Sequence, residues 1–258
     1  MPALATEIAV LARRSIVRTA RQPATIFFAF GFPLFLLAVN SGGLEAATTL
    51  PGFPTEDYLT FALAVPCMQA GLFAIGAAGA DVATDIRTGF LDRLSLTPMS
   101  GAALLVAHLA GVAVLALLQA IAFLIVGAIA GATFAAGVGG AAVIVVLTVL
   151  TAVAFGACGL FVGLRTGSGE AVQSLFPLAF VFLFLSSSSL PRELIATDWF
   201  RTVADWNPVS YIIEGLRAPI VVGWDGQALA LGFGVSAAFL AVTLTAATAA
   251  LRTRLTRT

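Results

Sequence analysis

The chain contains no lysine at all, a single histidine and two cysteines in 258 residues. Without lysine there is no phosphate-binding loop ending in GK[ST], so the usual way of hydrolysing ATP is closed to this chain by itself. The one histidine, His108, has no cysteine or acidic neighbour in sequence and makes a poor metal site. Cys67 and Cys158 each sit inside an apolar run and read as small buried hydrophobes rather than a disulfide. Charge is scarce too: 10% of residues are charged and 60% hydrophobic, against about 25% charged in soluble domains. Mean hydropathy is +1.03. No carboxylate falls near the middle of an apolar run, which removes the relay groups expected of a proton-coupled transporter. No nucleophile stands with a base inside a span, so an intramembrane enzyme is a poor fit. Strand-like alternation is missing as well, which argues against a barrel.

What is present is a series of apolar stretches of about 20 residues, each sufficient to cross the hydrocarbon as a helix. They predict an all-α integral membrane protein, one transmembrane domain over residues 1–258, with six spans at 24–40, 58–80, 101–130, 138–164, 171–190 and 227–251. Met1 to Gln22 has no apolar h-region, so no cleavable signal peptide is expected there. Within it, Ala3 to Arg21 reads as an amphipathic interfacial helix, with Leu4, Ile8, Leu11 and Ile16 on one face and Arg14, Arg18 and Arg21 on another. Gly101 to Leu164 carries no Asp, Glu, Lys or Arg and is too long for one crossing; the glycine-rich Gly131 to Gly140 is the expected turn. Gly127-x-x-x-Gly131 and Gly159-x-x-x-Gly163 suit close helix contact, within the chain in preference to dimerisation. His108 is read as an interhelical hydrogen bond or a headgroup contact in preference to a relay.

Between the second and third spans lies a charged island, Asp81 to Ser100. Ile86, Phe90, Leu91 and Leu94 recur with a helical period, which predicts a short helix beside the membrane with one greasy and one charged face. Thr97-Pro98 has the pattern of a cap that restarts the chain as a helix. Ten of the 13 arginines fall on the side of this island and of both termini; Arg192, Arg201 and Arg217 fall on the other. Positive-inside bias therefore predicts cytoplasmic termini, and Trp199, Trp206, Trp224, Tyr58 and Tyr211 lie on the outward side as an aromatic belt would. After the fifth span, Trp199, Phe200, Val203 and Trp206 at helical spacing and the Asn207-Pro208 start predict two short helices, dipping toward the membrane or lying flat on it. Glu214 and Arg217, at i and i+3, are spaced to neutralise each other.

The run Arg87 to Pro98, RTGFLDRLSLTP, resembles the signature loop of the ABC-2 type permeases, in particular the daunorubicin-resistance branch. Asp85, Gly89, Leu91, Asp92, Leu94, Thr97 and Pro98 fit that pattern, while Phe90 replaces a small polar residue and Ile86-Arg87 departs from its charged cluster. Asn207 to Arg217, NPVSYIIEGLR, is similar to the family's second recurrent stretch. The resemblance implies an export permease of the cell (inner) membrane, working as a dimer with a second copy or a homologous permease and with two ATPase subunits. No cofactor is expected in this chain; ATP and Mg would sit on the ATPase, and no nucleic acid is a partner. Its coupling segment would comprise Asp85, Ile86, Arg87, Gly89, Phe90, Leu91, Asp92, Arg93, Leu94, Thr97 and Pro98. A re-entrant pair between spans five and six would carry Trp199, Trp206, Asn207, Pro208, Tyr211, Glu214 and Arg217. Phe28, Phe32 and Phe35 with Phe176, Phe180 and Phe184 form apolar stripes on the spans that line the pathway in that family, which implies a hydrophobic, drug-like or lipid-like cargo. An ATP-independent channel is the alternative reading.

Overall fold

The computed structural model describes residues 17, 23–95 and 101–255. The expected amphipathic helix over Ala3 to Arg21, Val17 apart, and the Thr97-Pro98 cap lie outside the described residues. Within them the chain is helical, with no strand. Five segments are long and apolar enough to cross a membrane: Ile26–Gly43, Tyr58–Arg87, Ala103–Ile129, Gly137–Thr166 and Gly226–Arg254. The protein is a multi-pass membrane protein.

The first helix, α1 (Pro23–Gly43), contains Pro33. Proline has no N–H to give the carbonyl four residues back, which here is that of Ala29. Gln119, on α5 (Gly101–Ile129), fills the gap by donating Nε2–H to Ala29 O at 2.7 Å. The second span is made of α2 (Tyr58–Ala62) and α3 (Ala64–Arg87), joined through a turn at Leu63. Asp57 caps its start by accepting from Thr60 N–H at 2.7 Å. It is the most buried of the five and forms the axis of the bundle.

Helix α6 (Gly137–Thr166) packs along α3 at a distance only glycine permits. A Cβ at Gly159 would fall 2.1 Å from Ile75 O, and one at Gly163 2.6 Å from Gly79 O. The Gly159/Gly163 pair is thus an intrachain seam, as the sequence suggested. Gly127 receives the Leu63 side chain, while Gly131, at φ +101°, makes the α5–α6 turn. That turn falls inside the predicted Gly131 to Gly140 stretch.

The predicted span 171–190 is shorter and broken. It consists of α7 (Gly169–Gln173) and α8 (Leu175–Phe184), with Ser174 between them and Pro177 in the first turns of α8. Sixteen residues, Gly169–Phe184, rise about 24 Å as a helix, less than the roughly 30 Å of hydrocarbon. Ser186 to Ser188 leave the helix yet are buried. Then come α9 (Asp198–Trp206), α10 (Pro208–Val221) and α11 (Gly226–Leu255). Two apolar clusters fill the bundle, one around Phe61, Leu72, Leu147 and Leu216, the other around Val82, Leu104, Leu160 and Leu251.

Candidate coupling elbow, aromatic ladder and outer polar plug

The charged island is an elbow, not one helix. α3 runs on through Ile86 and Arg87, the chain turns at Thr88-Gly89 with Gly89 at φ +66°, and α4 (Phe90–Ser95) begins a new direction. Left-handed backbone of that kind favours glycine, and Arg93 N–H donates back to Gly89 O at 3.2 Å. The expectation of a single helix bearing Ile86, Phe90, Leu91 and Leu94 on one face is corrected here, because Ile86 belongs to a different helix from the other three. Leu91 is buried and Ile86 half-buried, both against the cluster of Val82, Leu104 and Leu164. Asp85 is also turned inward, its Oδ2 3.3 Å from Nε2 of His108 on α5. The outward surface is made by Arg87, Thr88 and Arg93, with Gly89 and Phe90 partly covered. Asp92 and Leu94 lie in α4 by backbone. Thr97 and Pro98 lie outside the described residues.

A further basic residue stands at the same end of the bundle. Arg254 on α11 donates Nη1–H to Leu164 O at the end of α6, at 3.0 Å. A Cβ at Gly167 would meet Arg254 on one side and Ile86 on the other, so the last turns of α3, α6 and α11 converge below the elbow.

Of the six pathway phenylalanines, four come together. Phe32 packs on Phe180 with ring centroids 5.8 Å apart, Phe180 on Phe176 at 4.8 Å and on Phe184 at 6.0 Å. Phe73 of α3, which the sequence reading missed, closes the ladder by touching Phe32 and Phe176 at 6.2 and 5.2 Å. Phe28 and Phe35 point away and are exposed. On the opposite face of α8 is a cleft of about 220 Å³ whose lining, including Ile75, Phe155, Leu178, Phe182, Ile212 and Phe239, is apolar.

At the other end sits a buried polar plug. Arg217, 6% exposed, donates from Nε to Phe61 O at 3.1 Å, from Nη1 to Ser187 O at 3.0 Å and from Nη2 to Ser188 O at 3.1 Å. Its guanidinium lies 3.6 Å from the Phe61 ring centroid, a cation–π contact. Asn207 gives Nδ2–H to Phe182 O and Leu185 O at 2.7 and 2.9 Å, while its Oδ1 accepts from Val209 N–H at 3.0 Å. One side chain thereby closes the end of α8 and caps the start of α10. Tyr58 OH donates to Ser189 O at 2.7 Å, and Ser187 N–H donates to Ser210 Oγ at 3.2 Å. Irregular backbone next to apolar spans requires such partners, because lipid offers none.

The expected Glu214–Arg217 neutralisation acts through space and not as a bonded pair. Glu214 is held by Arg192, which also lies 3.5 Å from Asp205 and 4.6 Å from the Tyr211 ring centroid. Spacing alone allowed the first pairing, but Arg217 faces inward, where three carbonyls take its donors. Burial works to lower the Arg192 pKa, yet the adjacent Glu214 outweighs it and holds the guanidinium above its ordinary value. The two outward helices also differ from each other: α10 is buried along most of its length, whereas α9 leaves Trp199 and Trp206 exposed.

No group of three or more His, Cys, Asp or Glu able to hold a metal occurs among the described residues. No curated protein matches the chain. A family model does: the one described as ABC-2 type transporter matches residues 6–221, which take in the elbow, the ladder and the plug. The chain belongs to the ABC-2 type transporter family.

Proposed function

We propose that this chain is the permease of an ATP-driven exporter whose hydrolysing subunits are separate proteins. The observation that carries the reading is the elbow: a basic outer surface of Arg87 and Arg93 faces away from the bundle, while its root, through Asp85 and Leu91, is fastened inside it. A surface free to be pushed and a root that moves with the spans are what transmission needs. Two ATPase subunits, each holding ATP and Mg, would seat against two such elbows in a dimer of this permease or a permease pair. The absence of lysine supports the division of labour, since the chain has no phosphate-binding loop of its own.

The bias of arginine in the sequence toward the charged island and the terminal segments supports cytoplasmic termini in a cell membrane, with Trp199, Trp206 and Trp224 outside. In this reading Gly169–Phe184, with the serine run that follows, completes a sixth crossing, and α9 and α10 form a re-entrant pair. The ladder of Phe32, Phe73, Phe176, Phe180 and Phe184 is an apolar surface for a hydrophobic or amphipathic, drug-like or lipid-like cargo. The test is reconstitution with the ATPase and an apolar fluorescent dye. Arg87→Glu/Arg93→Glu is expected to insert normally, lose the ATPase on purification and lose ATP-driven efflux. Unaltered efflux in that variant would overturn the docking assignment. Dye flux from the permease alone, without ATP, would favour a channel.

A further inference from the structure

Beneath the elbow lies a buried pair whose second member, His108, has no part in the reading above. His108 is 7% exposed and Asp85 1% exposed, on neighbouring helices α5 and α3. His108 Nδ1 is 2.9 Å from Leu104 O. A carbonyl can only accept, so Nδ1 carries a hydrogen and the ring is fixed in orientation by its own helix. The other nitrogen, Nε2, is then directed at Asp85 Oδ2, 3.3 Å away, and because both atoms can accept, the contact holds through one further hydrogen shared between them. His108 is the one ionisable side chain in Gly101–Ile129, and it meets a carboxylate of the last turn of α3. Burying that carboxylate is costly unless a partner opposes it.

The position of this pair matters because of the break beside it. A left-handed glycine between α3 and α4 is a place where the chain can bend, and a push on α4 would then dissipate in the bend. Among the described residues two ties oppose that. Leu91 of α4 packs into the cluster that contains Leu104 and Leu105 of α5, an apolar contact with little directionality. Asp85–His108 is the polar tie, and it fixes register between α3 and α5 as apolar packing does not.

We propose that His108 is a positioning residue for coupling: it clasps Asp85, so that α5 moves together with the elbow when the elbow is pushed. The proposal rests on the elbow being the ATPase docking surface. It goes further in making the third span part of the transmission.

The test uses the reconstituted complex of permease and ATPase. Wild-type complex that fails to bind the ATPase or to drive efflux with ATP would sink the docking reading itself. Given a working wild type, His108→Leu is expected to keep the ATPase bound and hydrolysing while transport per ATP falls roughly tenfold, within the range of ordinary coupling energies. His108→Gln, which keeps an N–H to offer Asp85, should recover most of that loss. Wild-type transport per ATP in His108→Leu, or a Gln variant as defective as the Leu variant, would overturn the clasp alone. A second measurement needs no substitution and decides the matter even if His108→Leu does not fold. With a single histidine in the chain, 15N-histidine labelling reports one ring. Its two nitrogens should keep the signature of a ring bonded on both sides when a non-hydrolysable ATP analogue closes the bound ATPase; loss of that signature on closure would refute the proposal.

Discussion

The two ends of the bundle are fastened by opposite means. At the plug end Arg217 and Asn207 place five donors on backbone carbonyls of segments far apart in sequence, with no carboxylate among those acceptors. At the elbow end the ties among the described residues run from helix to helix: Asp85 to His108, Arg254 to Leu164 O, and Leu91 into an apolar cluster. The first arrangement locks non-helical backbone in place and leaves it little freedom. The second joins rigid helices at their tips beside a glycine bend. One end is built to hold, the other to pass on movement, so damage at each should read out differently.

Breaking the plug end should have the largest effect on stability. Arg217→Leu strands three buried carbonyls and is expected to cost at least about 3 kcal/mol, since each buried acceptor left unsatisfied costs about 1–3 kcal/mol. Thermal unfolding in detergent and the yield of inserted protein would show it. Arg217→Lys should recover only part, because a compact ammonium cannot span three acceptors in a fork or stack as a guanidinium does on Phe61. Next comes the seam common to both ends: Gly159→Val drives side-chain atoms into Ile75 O and should cost at least roughly 1–3 kcal/mol as overpacking between α3 and α6, measured the same way. Asn207→Ala removes two donors and a cap and should lose about 1–2 kcal/mol. Smallest is Glu214→Gln at the partly exposed Arg192 pair, expected to shift stability by less than about 1 kcal/mol and to lose even that in high salt. Arg87→Glu/Arg93→Glu sharpens the comparison from the other side, with unfolding unchanged and ATP-driven efflux lost. If Arg217→Leu unfolded like wild type, the contrast between the ends would collapse.

The spans were legible because hydrocarbon imposes length and composition with little room for exception. The α5–α6 turn was legible from its glycines. The broken helix over Gly169–Phe184 was less so, since hydropathy counts Ser186 to Ser188 as a span's end and cannot see that they are turned into the protein. The plug was missed as a unit, although its parts stood in view. An arginine within YIIEGLRAPIV, a run of four serines and the asparagine before Pro208 were signals of backbone in need of donors. Phe73 escaped because its helix is otherwise rich in small residues, so no stripe drew attention to it. Asp85 was read as part of a charged face, and only the approach of α5 shows which way it points. Charge in sequence says that a segment leaves the lipid; it does not say which of its charges face water.

The proline in α1 bears on how the chain is assembled. Pro33 leaves Ala29 O without its helical donor, and that donor arrives from Gln119, on a span made two crossings later. Until α5 is in the membrane, α1 carries an acceptor that lipid cannot satisfy. The exposed Phe27, Phe28 and Phe35 leave α1 equally at ease in lipid before and after it packs. Gln119 therefore supplies a directional contact for seating the first span, which its apolar side chains by themselves do not specify.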